Sequence, residues 1–387
     1  MTHQTATQDV PERLKIDVET LRQYLRSAIP ELSGGFEVSK FTGGQSNPTY
    51  LLQTAGSRFV LRRKPPGKVL LSAHAIDREA RVMSAIAPTG FPVPTVVHEC
   101  SDPEVIGSRF YVMSYLDGRI FWDPRLANAG HDERESIYFA LTDTLADLHA
   151  IDIDAAGLGD FGPRTNYYSR QIQRWDGQMK AVGDYPAEAA RLVAWLTGHI
   201  PADDAVTLVH GDYRLDNAVF AGDRPTIIGI IDWELATLGN PMADLSYFLL
   251  NWIVPVNHLG EPSLASADIA TLGIPSYDTI IDHYFARSPH DRPDSLAFYN
   301  VYNLFRAAAI LHGIAMRHRA GNASNENAST MGQRVTPMLE LAAHIAAGWG
   351  PPCGDRRRPA LPTAGPQSGP KDPYVDARDP SKQCSPP

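Results

Sequence analysis

The chain has 387 residues, a net charge of −9 and 43% hydrophobic residues, enough for two lobes around a large core. The acidic balance excludes a general nucleic-acid binder, which carries a basic footprint. Cys100, Cys353 and Cys384 give neither a disulfide framework nor zinc spacing, so a reducing cytoplasm is expected. The first fifteen residues lack the apolar stretch of an export signal. The apolar run at 248–256 is too short to span a bilayer and contains Pro255, so no membrane segment is expected.

In chain order, residues 1–35 read as a polar lead with a short helix, since Leu21, Leu25 and Ile29 fall at helical spacing. Strands are expected at 36–42, 50–53 and 58–63, with Gly43-Gly44 punctuating the first pair. A helix at 72–86 and strands at 95–98 and 109–115 complete a first lobe over 36–116, read as a mixed sheet with a single helix. Asp117-Gly118 marks the hinge. Residues 117–350 form a larger, mainly helical lobe, with helices at 133–149, 167–182, 187–199, 242–252, 277–286, 296–319 and 331–347. Short strands interrupt it at 207–210 and 226–231. Residues 351–387 are rich in Pro, Gly and charge and poor in large apolar side chains, so they read as a disordered tail. The fold class is therefore α+β in two lobes; the sequence leaves the oligomeric state open.

Two motifs carry the chemistry. In LVHGDYRLDN (208–217), an apolar strand ends at His210, and Asp212 and Asn217 follow five residues apart. Phosphoryl transfer needs a carboxylate to orient and deprotonate the attacking hydroxyl, and oxygen ligands for a metal on the phosphates. Asp212 suits the first role and Asn217 the second; magnesium accepts such hard oxygens and keeps waters besides. In TIIGIIDWE (226–234), Asp232 leaves a strand dense in isoleucine. A charged group there needs a partner or a metal, and a second magnesium ligand fits. A hairpin between the motifs would deliver Asn217 and Asp232 to one end of the lobe. Arg214, two residues after Asp212, can stabilise the transferring phosphoryl group or pair with Asp216. Asp244, near a helix start, reads as a helix cap or as a brace for the catalytic loop.

The first lobe should hold ATP. In FTGGQSNPTY (41–50), Gly43 and Gly44 let backbone approach phosphates, and Ser46 and Asn47 add donors. On the strand FVLRR, Val60 and Arg62 share a face. Val60 can cover the adenine while Arg62 reaches the phosphates, with Glu79 on the next helix fixing its direction. Arg63 faces the other way and is not needed for the site.

These residues resemble the aminoglycoside/choline-kinase-like phosphotransferase family, whose fold is similar to that of protein kinases. The H-G-D-x-x-x-x-N motif stands as His210, Gly211, Asp212 and Asn217, and the later metal-binding Asp as Asp232. The resemblance runs from about residue 36 to 348. More closely, GGQSNPTY, VLRRKPPG, IDREARVMSAI, FPVP, YVMSYLDGRIF, HGDYRLDN and DWELATLGNPMADL are similar to the kinase-like domain that precedes acyl-CoA dehydrogenase in some multidomain proteins. The resemblance implies a two-lobed kinase-like fold, ATP and Mg2+, and a hydroxylated small-molecule acceptor. Two departures are Arg62 in place of the usual strand lysine and a missing third glycine in the nucleotide loop.

The acceptor region is not acidic. Between residues 160 and 200, Arg164, Arg170, Arg174, Lys180 and Arg191 face Asp160, Asp176, Asp184 and Glu188. Arg170 and Arg174 lie one helical turn apart, and Tyr167, Tyr168 and Trp175 add aromatic surface. This suits an anionic or acyl-bearing alcohol, such as a hydroxyacyl-CoA-like compound, better than a polyamine. An aminoglycoside or choline-type kinase is the second reading, and a non-catalytic nucleotide-binding regulator the third.

Overall fold

The computed structural model describes residues 7–11, 14–42, 47–65, 76–202, 205–255, 262–319 and 331–348. Gly43, Gly44 and Ser46, the expected helix start at 72–75 and the expected tail at 351–387 lie outside the described residues.

Strand alternation builds the first lobe. β1 (Thr7–Gln8) and helix α1 (Val18–Ala28) lead into β2 (Glu37–Phe41), β3 (Thr49–Gln53) and β4 (Arg58–Arg63). Helix α2 (Ile76–Ile86), β5 (Val96–Cys100) and β6 (Phe110–Ser114) follow. The six strands order as β1-β2-β3-β4-β6-β5. The sheet was expected to be mixed; every pairing recorded in it is antiparallel. The reason is connectivity: short links join β2 to β3 and β3 to β4, and α2 is followed by a strand pairing only with β6. Tyr50, Leu52, Leu61, Phe110 and Val112 point to one face, where Leu21 and Leu25 of α1 cover them. Each such leucine, fully buried, contributes about 1.5–3 kcal/mol. Val60, Tyr111 and Met113 point to the other face, towards α2. Asp17 caps α1 by accepting from the Thr20 N–H at 3.0 Å.

The larger lobe opens with β7 (Gly118–Arg119), α3 (His131–His149), α4 (Tyr167–Val182) and α5 (Ala187–Gly198). Then come β8 (Thr207–Val209), β9 (Ala218–Ala221), β10 (Ile227–Ile230) and β11 (Thr237–Gly239). Helices α6 (Met242–Phe248), α7 (Leu250–Ile253), α8 (Ile269–Leu272), α9 (Tyr277–Arg287), α10 (Ala297–Arg319) and α11 (Val335–Ala346) complete it. The expected helix at 242–252 is thus two helices. α10 is buried on most of its circumference, packed by α4, α5, α6 and α11. Asn303 on α10 donates to the Ala243 carbonyl and Ser246 hydroxyl of α6 at 2.9 and 2.7 Å. This tie fixes α10 against the element that braces the catalytic loop. Among the described residues no helix is long and apolar enough to cross a membrane.

Candidate active site

The catalytic loop begins where β8 ends. Gly211 takes φ +85°, and a Cβ there would meet the Leu235 carbonyl oxygen at 2.7 Å, so only glycine fits. The Asp244 carboxylate, fully buried, accepts the N–H groups of His210 and Gly211 at 2.6 and 2.8 Å. Burial alone would raise its pKa; His149, His210 and the Gly211 N–H outweigh that and hold it below the usual carboxylate value. Asp244 is therefore a loop brace, and Pro241 is the cap of α6. The His210 Nδ1 accepts the Asp212 N–H at 3.2 Å. That assigns the ring proton to Nε2, which donates to the Ile231 carbonyl at 3.0 Å. The loop and the exit of β10 are so tied together.

β9 and β10 form the anticipated antiparallel hairpin. Asn217 precedes it and Asp232 follows it, so both stand at one end. The Asn217 amide nitrogen donates to the Asp212 carbonyl at 2.8 Å and its carboxylate at 3.1 Å. This leaves the amide oxygen as the group a cation can take. Asp232 adopts φ +69°, an uncommon conformation for a residue with a Cβ, held here by a closed hairpin. An amide oxygen and a carboxylate lining one cavity are a donor set that fits magnesium.

Across the cleft, Arg62 reaches down from β4. Its guanidinium pairs with Glu79 at 3.1 Å and with Asp232 at 2.9 Å, and Glu234 lies at 4.0 Å. Burial pushes the Glu79 pKa up to about 7; Arg62 opposes this and Asp232 adds to it. Tyr111 donates to the same carboxylate at 2.9 Å. Asn47, expected as a phosphate donor, is only 2% exposed and gives its amide to Glu79 at 2.7 Å instead. The nearby carboxylate outcompetes any solvent-facing pose. Val60 does share a cavity wall with Arg62. Arg63, expected to be dispensable, is buried on the opposite face. It donates to the Tyr50 hydroxyl at 3.1 Å and to the carbonyls of Ile106 and Leu14 at 3.2 and 2.9 Å. It ties the N-terminal lead to the sheet.

One cavity of about 170 Å³ joins the lobes. Its walls include the apolar Phe41, Val60, Met113, Leu116 and Val219 and the polar Arg62, Asn217 and Asp232. Trp122, 57% exposed, stands at the wall. Arg214 does not project freely: its guanidinium is held by both oxygens of Asp216. Arg306 and Tyr247 were not anticipated. Arg306 reaches from α10 to donate to the Gly211 carbonyl, and Tyr247 of α6 abuts Asp212, whose negative charge adds to burial in raising the phenol's pKa. Both sit in helices whose pattern reads as ordinary core, and no local signal marks them.

The Phosphotransferase enzyme family matches residues 37–278. Acyl-CoA dehydrogenase family member 10 of Mus musculus is 39% identical over 342 residues, covering 88% of this chain and 32% of that protein. Acyl-CoA dehydrogenase family member 11 of Gallus gallus is 37% identical over 356 residues, covering 89% of this chain and 45% of that protein. The chain thus spans less than half the length of these curated relatives. A crystal structure from Ralstonia eutropha, described provisionally as an aminoglycoside phosphotransferase, superposes with a TM-score of 0.78 at 38% identity, covering 86% of this chain and 99% of that one.

Proposed function

This chain belongs to the phosphotransferase enzyme family, and from that premise we propose that it uses ATP to phosphorylate a hydroxyl of a small molecule, with Asp212 as the base. The observation that carries this is the convergence of Arg62, Asn217 and Asp232 on one cavity, with Asp212 hydrogen-bonded to Asn217. The apolar walls of the cavity suit a nucleobase, and Arg62 suits the phosphates. Asn217 and Asp232 would hold magnesium, which supplies charge neutralisation on the phosphates. Asp212 orients the acceptor hydroxyl and takes its proton. The hydroxyl oxygen then bonds to the terminal phosphorus as the bond to the bridging oxygen breaks, releasing ADP.

The proposed acceptor is hydroxyacyl-CoA-like. Support comes from the names of the relatives, of which this chain matches only a part, and from Arg306 and Tyr247 beside Asp212. A buried guanidinium there is an unwelcoming wall for a polycationic aminoglycoside. The test is ADP formation with hydroxyacyl thioesters, hydroxy acids, choline and aminoglycosides in parallel. A preference for choline or an aminoglycoside would reject the acceptor assignment; no turnover with any acceptor, despite tight ATP binding, would favour a regulator.

A further inference from the structure

Arg306 is 6% exposed, and among the described residues no carboxylate lies within 4.0 Å of its guanidinium. Its hydrogen bond goes to a neutral carbonyl, that of Gly211. Its faces are covered by aromatic rings, Tyr247 at 5.1 Å and Trp175 at 5.8 Å. A buried cation without an anion is costly and is ordinarily paired. In the cleft, Arg62 has Glu79 and Asp232 and Arg214 has Asp216; Arg63, on the far face of β4, is also buried on neutral partners, but there three acceptors fill its donors.

A second group beside it is also incomplete. The Trp175 indole N–H, in a side chain buried to the same degree, has no hydrogen-bond acceptor. The Tyr302 hydroxyl is close but does not complete a bond of good geometry to it. A buried donor left open points to a missing partner.

We propose that the acceptor carries its own oxyanion, a carboxylate or a phosphate, and that Arg306 and the Trp175 N–H bind it next to the Asp212 carboxylate. The inference rests on the reading of Asp212 as the base, because it is Asp212 that makes this side of the cleft the acceptor side. Burial would lower the Arg306 pKa, but its neighbours, Tyr302 first and Asp212 among them, raise it on balance, and a guanidinium keeps its proton in proteins in any case. Arg306 is thus a specificity residue: it selects an anionic alcohol and rejects an amino alcohol by like-charge repulsion.

The test is calorimetric binding to the Mg-ADP-loaded protein. The probes are a hydroxycarboxylate, a hydroxyalkyl phosphate and an amino alcohol of matched length, and their ranking separates carboxylate from phosphate. At least one anionic probe should bind wild type about tenfold or more tightly than the amino alcohol, as a charge-assisted bond requires. Arg306→Gln should lose about tenfold or more of that affinity, with Arg306→Lys between the two. Trp175→Phe, which keeps the ring and removes the N–H, should lose several-fold, and Mg-ADP affinity should hold throughout. The amino alcohol binding as tightly, no anionic probe binding, or anion affinity surviving in Trp175→Phe and Arg306→Gln overturns the proposal. If Arg306→Gln misfolds through loss of the Gly211 contact, Trp175→Phe decides alone. Arg306-dependent anion binding without turnover of any probe would fell the kinase reading and leave this site; turnover indifferent to Arg306 would do the reverse.

Discussion

The two sides of the cleft balance their charges differently. On the nucleotide side, Arg62 is enclosed by Glu79, Asp232 and, at longer range, Glu234, and the carboxylate of Glu79 is bound by Asn47 and Tyr111 besides. On the acceptor side, Arg306 meets two rings and one carbonyl. A cation already paired with carboxylates holds its geometry before the ligand arrives, while one that meets only neutral groups can be completed by the ligand. On the proposed function, the difference would give shape-keeping to the first lobe and selectivity to the second.

Changes on the nucleotide side test whether that network holds Mg-ATP. Asp232→Ala removes a charged ligand and should have the largest effect, weakening Mg-ATP binding by about 100-fold while ATP without magnesium changes little. Equal loss with and without magnesium would break the assignment. Arg62→Ala should cost about tenfold in Mg-ATP affinity and Arg62→Lys part of that, because lysine cannot fork between a phosphate and Glu79. The neighbour on the other face behaves differently: Arg63→Ala should lower the melting temperature through a loss of about 2–4 kcal/mol, with affinity in the folded fraction retained. A stable but ATP-blind Arg63→Ala would show the strand faces to be reversed.

The smallest effect expected is on pH dependence. Burial raises the Glu79 pKa from its ordinary 4.5 to about 7. An acid with a raised folded-state pKa costs no stability below its unfolded value. The cost grows as pH climbs from 4.5 to about 7 and is constant above. The Arg62 pair runs the other way, reaching full strength only once Glu79 is ionised. Mg-ATP affinity should therefore rise a few-fold between about pH 6 and about pH 8, and Glu79→Gln should flatten the rise. An unchanged slope in Glu79→Gln would remove Glu79 from the anchor.

Much of the site is legible because its signals are local. Asp212, Asn217 and Asp232 lie at the ends of short apolar strands, and the β9–β10 hairpin between them follows from two apolar segments and a turn. The strand period separates Arg62 from Arg63, but not what Arg63 does, since its partners Leu14 and Ile106 come from the lead and a distant loop. Arg306 lies 95 residues from the carbonyl it holds, and nothing in a helical period distinguishes it from a solvated arginine. Strands β7 and β11, of two and three residues, are too short to show alternation. Asn47 escapes a local reading as Arg306 does, because its partner comes from another element: the buried Glu79 carboxylate claims its donor.

The central claim is that Asp212 is the base of a phosphoryl transfer whose nucleotide is held elsewhere. The direct measurement is transfer of label from terminally labelled ATP to an acceptor hydroxyl, alongside Mg-ATP affinity, for wild type and Asp212→Asn. The account predicts a loss of label transfer of about 100-fold to 10,000-fold with Mg-ATP affinity within about twofold of wild type. Label transfer at the wild-type rate in Asp212→Asn would contradict it.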